Sequence, residues 1–167
     1  DTVALKQALA LLLTINRTPQ LYYGTEVLMN GTKSVTDGNV RKDFPGGWAE
    51  DKVSIFTRQG LTNDQIEALD YMKCIQNWRK SNDAVKYGTM TQFAPQNGVY
   101  VYFRIKGDKK VMVILNNNDN EQSLPTERFF EKLKGFTVGT DMITGITYNV
   151  IKPMILPKKA ALILELK

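Results

Sequence analysis

Hydrophobic positions change their spacing twice along this chain of 167 residues. In Ala8-Leu9-Ala10-Leu11-Leu12-Leu13-Thr14-Ile15 apolar residues crowd almost every position, so a helix there is expected to be buried on most faces. Asn16-Arg17-Thr18-Pro19 stops it, because proline disfavours helical geometry at the residue before it and cannot continue the hydrogen-bond ladder. A short apolar, aromatic run then halts at Gly24, which predicts a buried strand over Thr18–Glu26 opening into a loop. Helix, turn and strand make half of a βαβ unit. That half cannot build a sheet alone.

The next helix is announced by its own start signal. Thr62 with Gln65 three residues on forms a capping box, and Leu61 with Ile66 supplies the matching hydrophobic staple. Ile66, Leu69, Met72, Ile75 and Trp78 recur every three residues, which predicts a core-facing stripe rather than a ligand-binding role for Trp78. Arg79-Lys80 suits the C-terminal dipole, and Ser81-Asn82-Asp83 ends the run.

Beyond Asp83 the period drops to two. Val99, Val101, Phe103 and Ile105 alternate with Tyr100, Tyr102 and Arg104, predicting a strand with two distinct faces. Gly107-Asp108 turns the chain into Val111-Met112-Val113-Ile114-Leu115, whose unbroken apolar character predicts a central strand covered on both sides. A polar loop over Asn116–Asn120 and a short helix over Thr126–Leu133, capped by Gly135, follow. Further strands are expected at Thr147–Ile151 and Ala160–Leu166, so the second half reads as an antiparallel sandwich.

Composition narrows the chemistry. At 43% hydrophobic the chain can bury a core, and its apolar opening is too short for a membrane span and lacks the basic start and cleavage site of a signal peptide. Cys74, the single cysteine, excludes an internal disulfide and reads as a buried, inert thiol; the compartment stays open. The absence of histidine excludes Ser-His and Cys-His nucleophile systems and the usual His-containing zinc sites, and no cofactor is called for. Residues 1–82 hold ten Lys/Arg against nine Asp/Glu and residues 83–167 twelve against eight, so net charge moves from +1 to +4 and supports a boundary near residue 83. Lys109-Lys110 and Lys158-Lys159 sit at expected turns, without a nucleic-acid motif beside them. They read as solvated surface rather than phosphate contacts.

One stretch is suited to recognition. Asp37-Gly38-Asn39-Val40-Arg41-Lys42-Asp43-Phe44-Pro45-Gly46-Gly47-Trp48 belongs to a loop too long to be a mere connector. Asp37 offers an acceptor and Arg41 a fork of donors, which suits sugar hydroxyls because each can donate and accept. Trp48 offers a flat apolar face of the kind on which sugar rings stack. The competing reading pairs Asp37 with Arg41 and uses Trp48 as a plug.

Thr18-Pro19-Gln20-Leu21-Tyr22-Tyr23-Gly24-Thr25-Glu26 resembles the last barrel strand of the alpha-amylase family, glycoside hydrolase family 13. Asp37 and Arg41 match, in type, spacing and position, a pair in the loop after the eighth strand of its neopullulanase, cyclomaltodextrinase and maltogenic amylase group. The resemblance implies that this pair binds glucose units on the non-reducing side of the cleavage point, with Trp48 in a supporting role and Glu26 holding the loop. It further implies an α+β chain: residues 1–83 as the end of a (β/α)8 barrel (helix, strand, loop, helix), residues 84–167 as the C-terminal β-sandwich. The segments that carry the family's three catalytic carboxylates, and its active-site histidines, have no counterpart in these residues. No catalytic residue and no metal ligand is therefore assigned.

Glu26 and Asp37 are the only carboxylates near that loop's start that invite comparison with a retaining pair, which needs about 5–5.5 Å between carboxyl groups and a distorted sugar held between them. Without the rest of a barrel, hydrolysis by this chain is expected to be negligible. The implied partners are an α-glucan oligosaccharide, the missing N-terminal part of the same enzyme, and a second copy through an exposed barrel strand. The start at Asp1, straight into an apolar helix, reads as a cut end. The alternatives are a stand-alone carbohydrate-binding or scaffolding protein of shared ancestry, and a basic nucleic-acid binder whose binding would fall with salt.

Overall fold

A computed structural model describes residues 2–167. They form two compact units, one comprising the chain up to Pro19 together with Cys74–Lys167, the other Gln20–Lys73. Helix α2 (Asn63–Ser81) gives way to α3 (Asp83–Tyr87) at Asn82, whose Oδ1 accepts from Val85 N and caps α3.

The first unit is built on eight strands: β1 (Thr89–Gln96), β2 (Val99–Lys106), β3 (Lys109–Asn116), β4 (Gln122–Leu124), β5 (Val138–Asp141), β6 (Thr147–Asn149), β7 (Met154–Leu156) and β8 (Ala161–Leu166). Six of them form one sheet in the order β1-β2-β3-β8-β5-β6, and β4 and β7 form a second. Every pairing is antiparallel. The hairpin at Gly107-Asp108 closes on Lys106 opposite Lys109, and its register runs unbroken to Val99 opposite Asn116.

Alternation along β2 assigns its two faces. Val99, Val101 and Phe103 point into the core between the sheets, where they meet Met112 and Ile114 of β3, Leu162 and Leu164 of β8, and Leu124, Met154 and Leu156 from the smaller sheet. The short α4 (Phe130–Leu133) and the 3-10 turn before it add Leu133 and Phe129. Tyr102 and Arg104 occupy the other face, yet both are fully buried. Packed over that face are α1 (Thr2–Thr14), against β8, and α3, against β2 and β3. Covered on both sides, β3 is the central strand its apolar run predicts.

Arg104 is where the polar half of the alternation departs from expectation. Its Nη1 donates to the Thr14 carbonyl at 2.7 Å, and Nη2 to the Gly88 carbonyl at 2.8 Å and to Asn16 Oδ1 at 3.2 Å. Arg79 Nη1 donates to the adjacent Leu13 carbonyl at 2.7 Å. The last carbonyls of α1, which have no partner within the helix, are thus satisfied by two guanidinium groups. Burial draws the pKa of both arginines below the usual guanidinium range, but their charge at neutral pH follows from the height of that range. Beside them the Thr14 and Tyr102 hydroxyls lie 2.5 Å apart.

Helix α1 buries one side, Leu9, Ala10, Leu13 and Thr14, rather than most of its circumference. Cys74, expected to be buried, is half-buried, with its Sγ 3.9 Å from the Met142 carbonyl. In α2 the capping box forms as read: Thr62 N donates to Gln65 Oε1 at 2.9 Å and Gln65 N to Thr62 Oγ1 at 3.3 Å. Its buried positions are Ala68, Tyr71, Met72 and Ile75, so the stripe follows i, i+3, i+4 and i+7, while Leu69 and Trp78 lie at its margin, half-buried.

The predicted strand over Thr18–Glu26 is not formed. Residues 18–22 carry no ladder, Thr25–Val27 is a 3-10 turn, and Tyr22 and Tyr23 are 59% and 41% exposed. A strand exists only through a neighbour that takes its N–H and C=O groups, and no described strand lies in Gln20–Lys73 to do so.

Candidate functional site

The loop between Leu28 and Leu61 holds its shape through side-chain bonds to its own backbone. Thr36 Oγ1 accepts from Asn39 N at 3.1 Å and caps a 3-10 turn over Asp37–Val40. Asn39 Oδ1 accepts from Thr32 N at 2.7 Å and draws residues 31–32 against the turn. Gly31 permits this approach, since a Cβ there would lie 2.1 Å from the Asn39 carbonyl oxygen. The Tyr23 hydroxyl donates to the Lys42 carbonyl at 3.0 Å, tying the preceding segment to the far side of the turn.

Asp37 and Arg41 stand at the two ends of that turn, Asp37 as its first residue and Arg41 as its C-terminal cap, and both are exposed. Asp37 does not take Arg41 as its ion-pair partner: its carboxylate faces Lys33 Nζ at 4.0 Å, both side chains well solvated. Such a pair contributes little to stability. Trp48 belongs to the following turn and is 62% exposed, so it is no plug in this unit. Its position depends on Asp51, whose Oδ2 accepts from Gly46 N at 2.8 Å and Trp48 N at 3.1 Å. Asp51 was not singled out from sequence; an acid placed just after Gly46-Gly47-Trp48 is the signal that could have found it.

A cleft of about 260 Å³ lies beside the turn, lined by Tyr22, Tyr23, Met29, Asn30, Val40 and Lys42 among others. The Tyr22 and Tyr23 rings are 4.7 Å apart and tilted. Partial burial, then the neighbouring Tyr22 and Asp43, raise the pKa of the Tyr23 phenol, against an opposing effect of Arg41, so this hydroxyl stays neutral and donates. Asp37, Arg41 and Trp48 do not line this cleft; exposed at the turns beside it, their carboxylate, guanidinium and indole are of types that can bind a neutral, hydroxyl-rich ligand. Glu26, in the 3-10 turn at Thr25–Val27, is half-buried.

One lysine of each basic pair is committed to partners within the fold. Lys159 reaches Asp119 at 3.3 Å and the Asn117 carbonyl at 2.8 Å, and Lys110 Nζ donates to the Lys132 carbonyl. Among the described residues no group of three or more acidic or cysteine side chains could hold a metal ion, and no helix is long and apolar enough to cross a membrane.

Residues 90–165 match the family described as the cyclo-malto-dextrinase C-terminal domain. A cyclomaltodextrin glucanotransferase from Paenibacillus macerans is 31% identical over 152 residues, which are 86% of this chain and 19% of that protein. An alpha-amylase from Niallia circulans is 32% identical over 149 residues, 84% of this chain and 25% of that protein. Among solved structures, an Anoxybacillus alpha-amylase superposes with a TM-score of 0.73 at 20% identity, over 98% of this chain and 32% of its own. The chain therefore spans about a fifth to a quarter of the length of these curated relatives.

Proposed function

Because this chain belongs to the alpha-amylase family of glycoside hydrolases, we propose that it is the C-terminal portion of a larger enzyme acting on α-glucans, of the neopullulanase, cyclomaltodextrinase and maltogenic amylase type. In this reading residues 1–83 are the end of the catalytic (β/α)8 barrel and residues 84–167 its C-terminal sandwich. The observation that carries it is that nearly the whole chain, loop as well as sheet, aligns with a minor part of glucan-converting enzymes. The unpaired Thr18–Glu26 segment supports it too, since an apolar strand sequence without a ladder is what a barrel strand becomes when its neighbours lie elsewhere.

The whole enzyme would hydrolyse α-1,4-glucosidic bonds with retention, through a covalent glycosyl-enzyme. The residues of this chain would bind rather than react. Asp37 would accept from, and Arg41 donate to, hydroxyls of a glucose unit on the non-reducing side of the scissile bond, while Trp48 offers its exposed face to a ring. Starch, pullulan and cyclodextrin oligosaccharides all present such units. The test is Arg41→Ala and Asp37→Ala in the full-length enzyme: each is expected to raise KM for maltodextrin about tenfold while leaving a folded protein. An unchanged KM and product pattern would count against the assignment.

A further inference from the structure

Two Asn-Gly steps stand in this sequence, Asn30-Gly31 and Asn97-Gly98. Such a step is chemically special because glycine puts no Cβ beside its own nitrogen, which leaves that nitrogen a clear approach to the asparagine side-chain carbonyl. Contact between the two requires rotation about the asparagine Cα–C and Cα–Cβ bonds. The fold treats the two steps differently on this point.

Asn97 and Gly98 are locked. They form the tip of the hairpin between β1 and β2, flanked by the paired Gln96 and Val99, with φ of 50° and 71°. Asn118 Nδ2 donates to the Asn97 carbonyl at 2.8 Å, and Asn117 N to the Gly98 carbonyl at 2.9 Å. Turning the Asn97-Gly98 peptide towards its own side chain breaks both bonds.

Asn30 and Gly31 are held by nothing comparable. Both are exposed, lie outside every helix and strand, and take part in no hydrogen bond with a described residue. The residue after them is fixed, however, since Thr32 N donates to Asn39 Oδ1 at 2.7 Å and Gly31 packs so closely that a Cβ would lie 2.1 Å from the Asn39 carbonyl oxygen. The Gly31 nitrogen thus has an anchored neighbour on one side and, on the other, a residue able to turn onto it.

We propose that Asn30 is a site of spontaneous deamidation and that its main product loosens the Asp37–Val40 turn. The Gly31 nitrogen gives up its proton and attacks Asn30 Cγ; the new N–C bond closes a succinimide ring as the Cγ–Nδ2 bond breaks, and ammonia leaves with a proton in place of the one lost. Water then opens the ring, so the step needs no oxidant and no cofactor. Opening at Cγ gives aspartate. Opening at the main-chain carbonyl gives isoaspartate, whose backbone runs through the former side chain and is one carbon longer. That longer backbone cannot keep Gly31 against Asn39 while Thr32 N stays on Asn39 Oδ1. The modification stands independently of any substrate; that it weakens glucan binding rests on the role proposed above for Asp37 and Arg41.

Peptide mapping by mass spectrometry of the full-length enzyme, fresh and after ageing in mildly alkaline buffer, tests the chemistry. The mass gain of acid for amide is expected at Asn30 and not at Asn97, and faster as pH rises, because the attacking nitrogen must be deprotonated. No gain at Asn30, or equal gain at both, would overturn the proposal. Amide hydrogen exchange at Thr32 tests the consequence: it is expected to quicken about fivefold in the aged, isoaspartate-containing enzyme, and not to change with age in Asn30→Gln, whose longer side chain closes the ring far more slowly. Isoaspartate at Asn30 with an unaltered Thr32 rate would overturn the loosening of the turn. The substrate role of the loop is decided separately, by the KM of Asp37→Ala and Arg41→Ala.

Discussion

Arg104 shows most plainly where residue-level reading ends. Its place in the alternation of β2 says only that it lies opposite Phe103; that this opposite face is roofed by helices is a tertiary fact. A guanidinium could enter because three acceptors, two of them main-chain carbonyls invisible to any side-chain pattern, converge on it. Arg104→Met leaves them dry and is expected to lower stability by about 2–4 kcal/mol, a drop in Tm of roughly 5–15 °C by calorimetry. Arg104→Lys should recover only part of this, having charge without the fork. Tyr102 supplies a pH signature. Burial raises its phenol pKa above the unfolded value, so its contribution is complete below about pH 10 and declines as pH rises towards the folded value. Denaturant titrations of Tyr102→Phe are therefore expected to show a flatter alkaline limb than the parent. That Asp37 faces Lys33 rather than Arg41 was not legible, because an exposed turn leaves that choice to local geometry.

Elements with a strong local signal match their sequence: α2 by its capping box, β2 and β3 by period and hairpin turn, β8 by its apolar run. Those fixed by neighbours do not. β1 holds Pro95 and mostly polar residues, which reads against a strand; it exists because β2 offers an edge and a bulge accommodates the proline. β4, β5 and β7 are three or four residues long, too short for any period to register. The Thr18–Glu26 segment is the converse, a strand pattern with no edge to join. Gln65 gives this scale its test, since its side-chain Oε1 accepts from Thr62 N at the start of α2 while its Nε2 donates to the Val27 carbonyl at 3.0 Å. Gln65→Ala should cost about 1–2 kcal/mol, and hydrogen exchange should quicken first in the opening turn of α2.

For the molecule as a whole, the sandwich half was legible because its core is enclosed within the sequence that encodes it. The Gln20–Lys73 unit was the less legible part, since the strand pattern that runs into it finds no described strand there to pair with. Binding without turnover is the expected behaviour of the chain: incubated with maltodextrin, it should release no reducing ends above the background of its Glu26→Ala and Asp37→Ala variants. Release at ordinary enzyme rates, abolished by either substitution, would contradict that. The two arginines at the end of α1 carry a different lesson, about tolerance to change. What they grip, the carbonyls of Leu13 and Thr14, is present whatever side chains stand there, so the helix side of the join is nearly free to drift in spelling. It is not free to drift in frame. One residue inserted into α1 turns its end by about 100° and carries both carbonyls out of reach, so lineages should vary α1 by substitution while holding its length fixed.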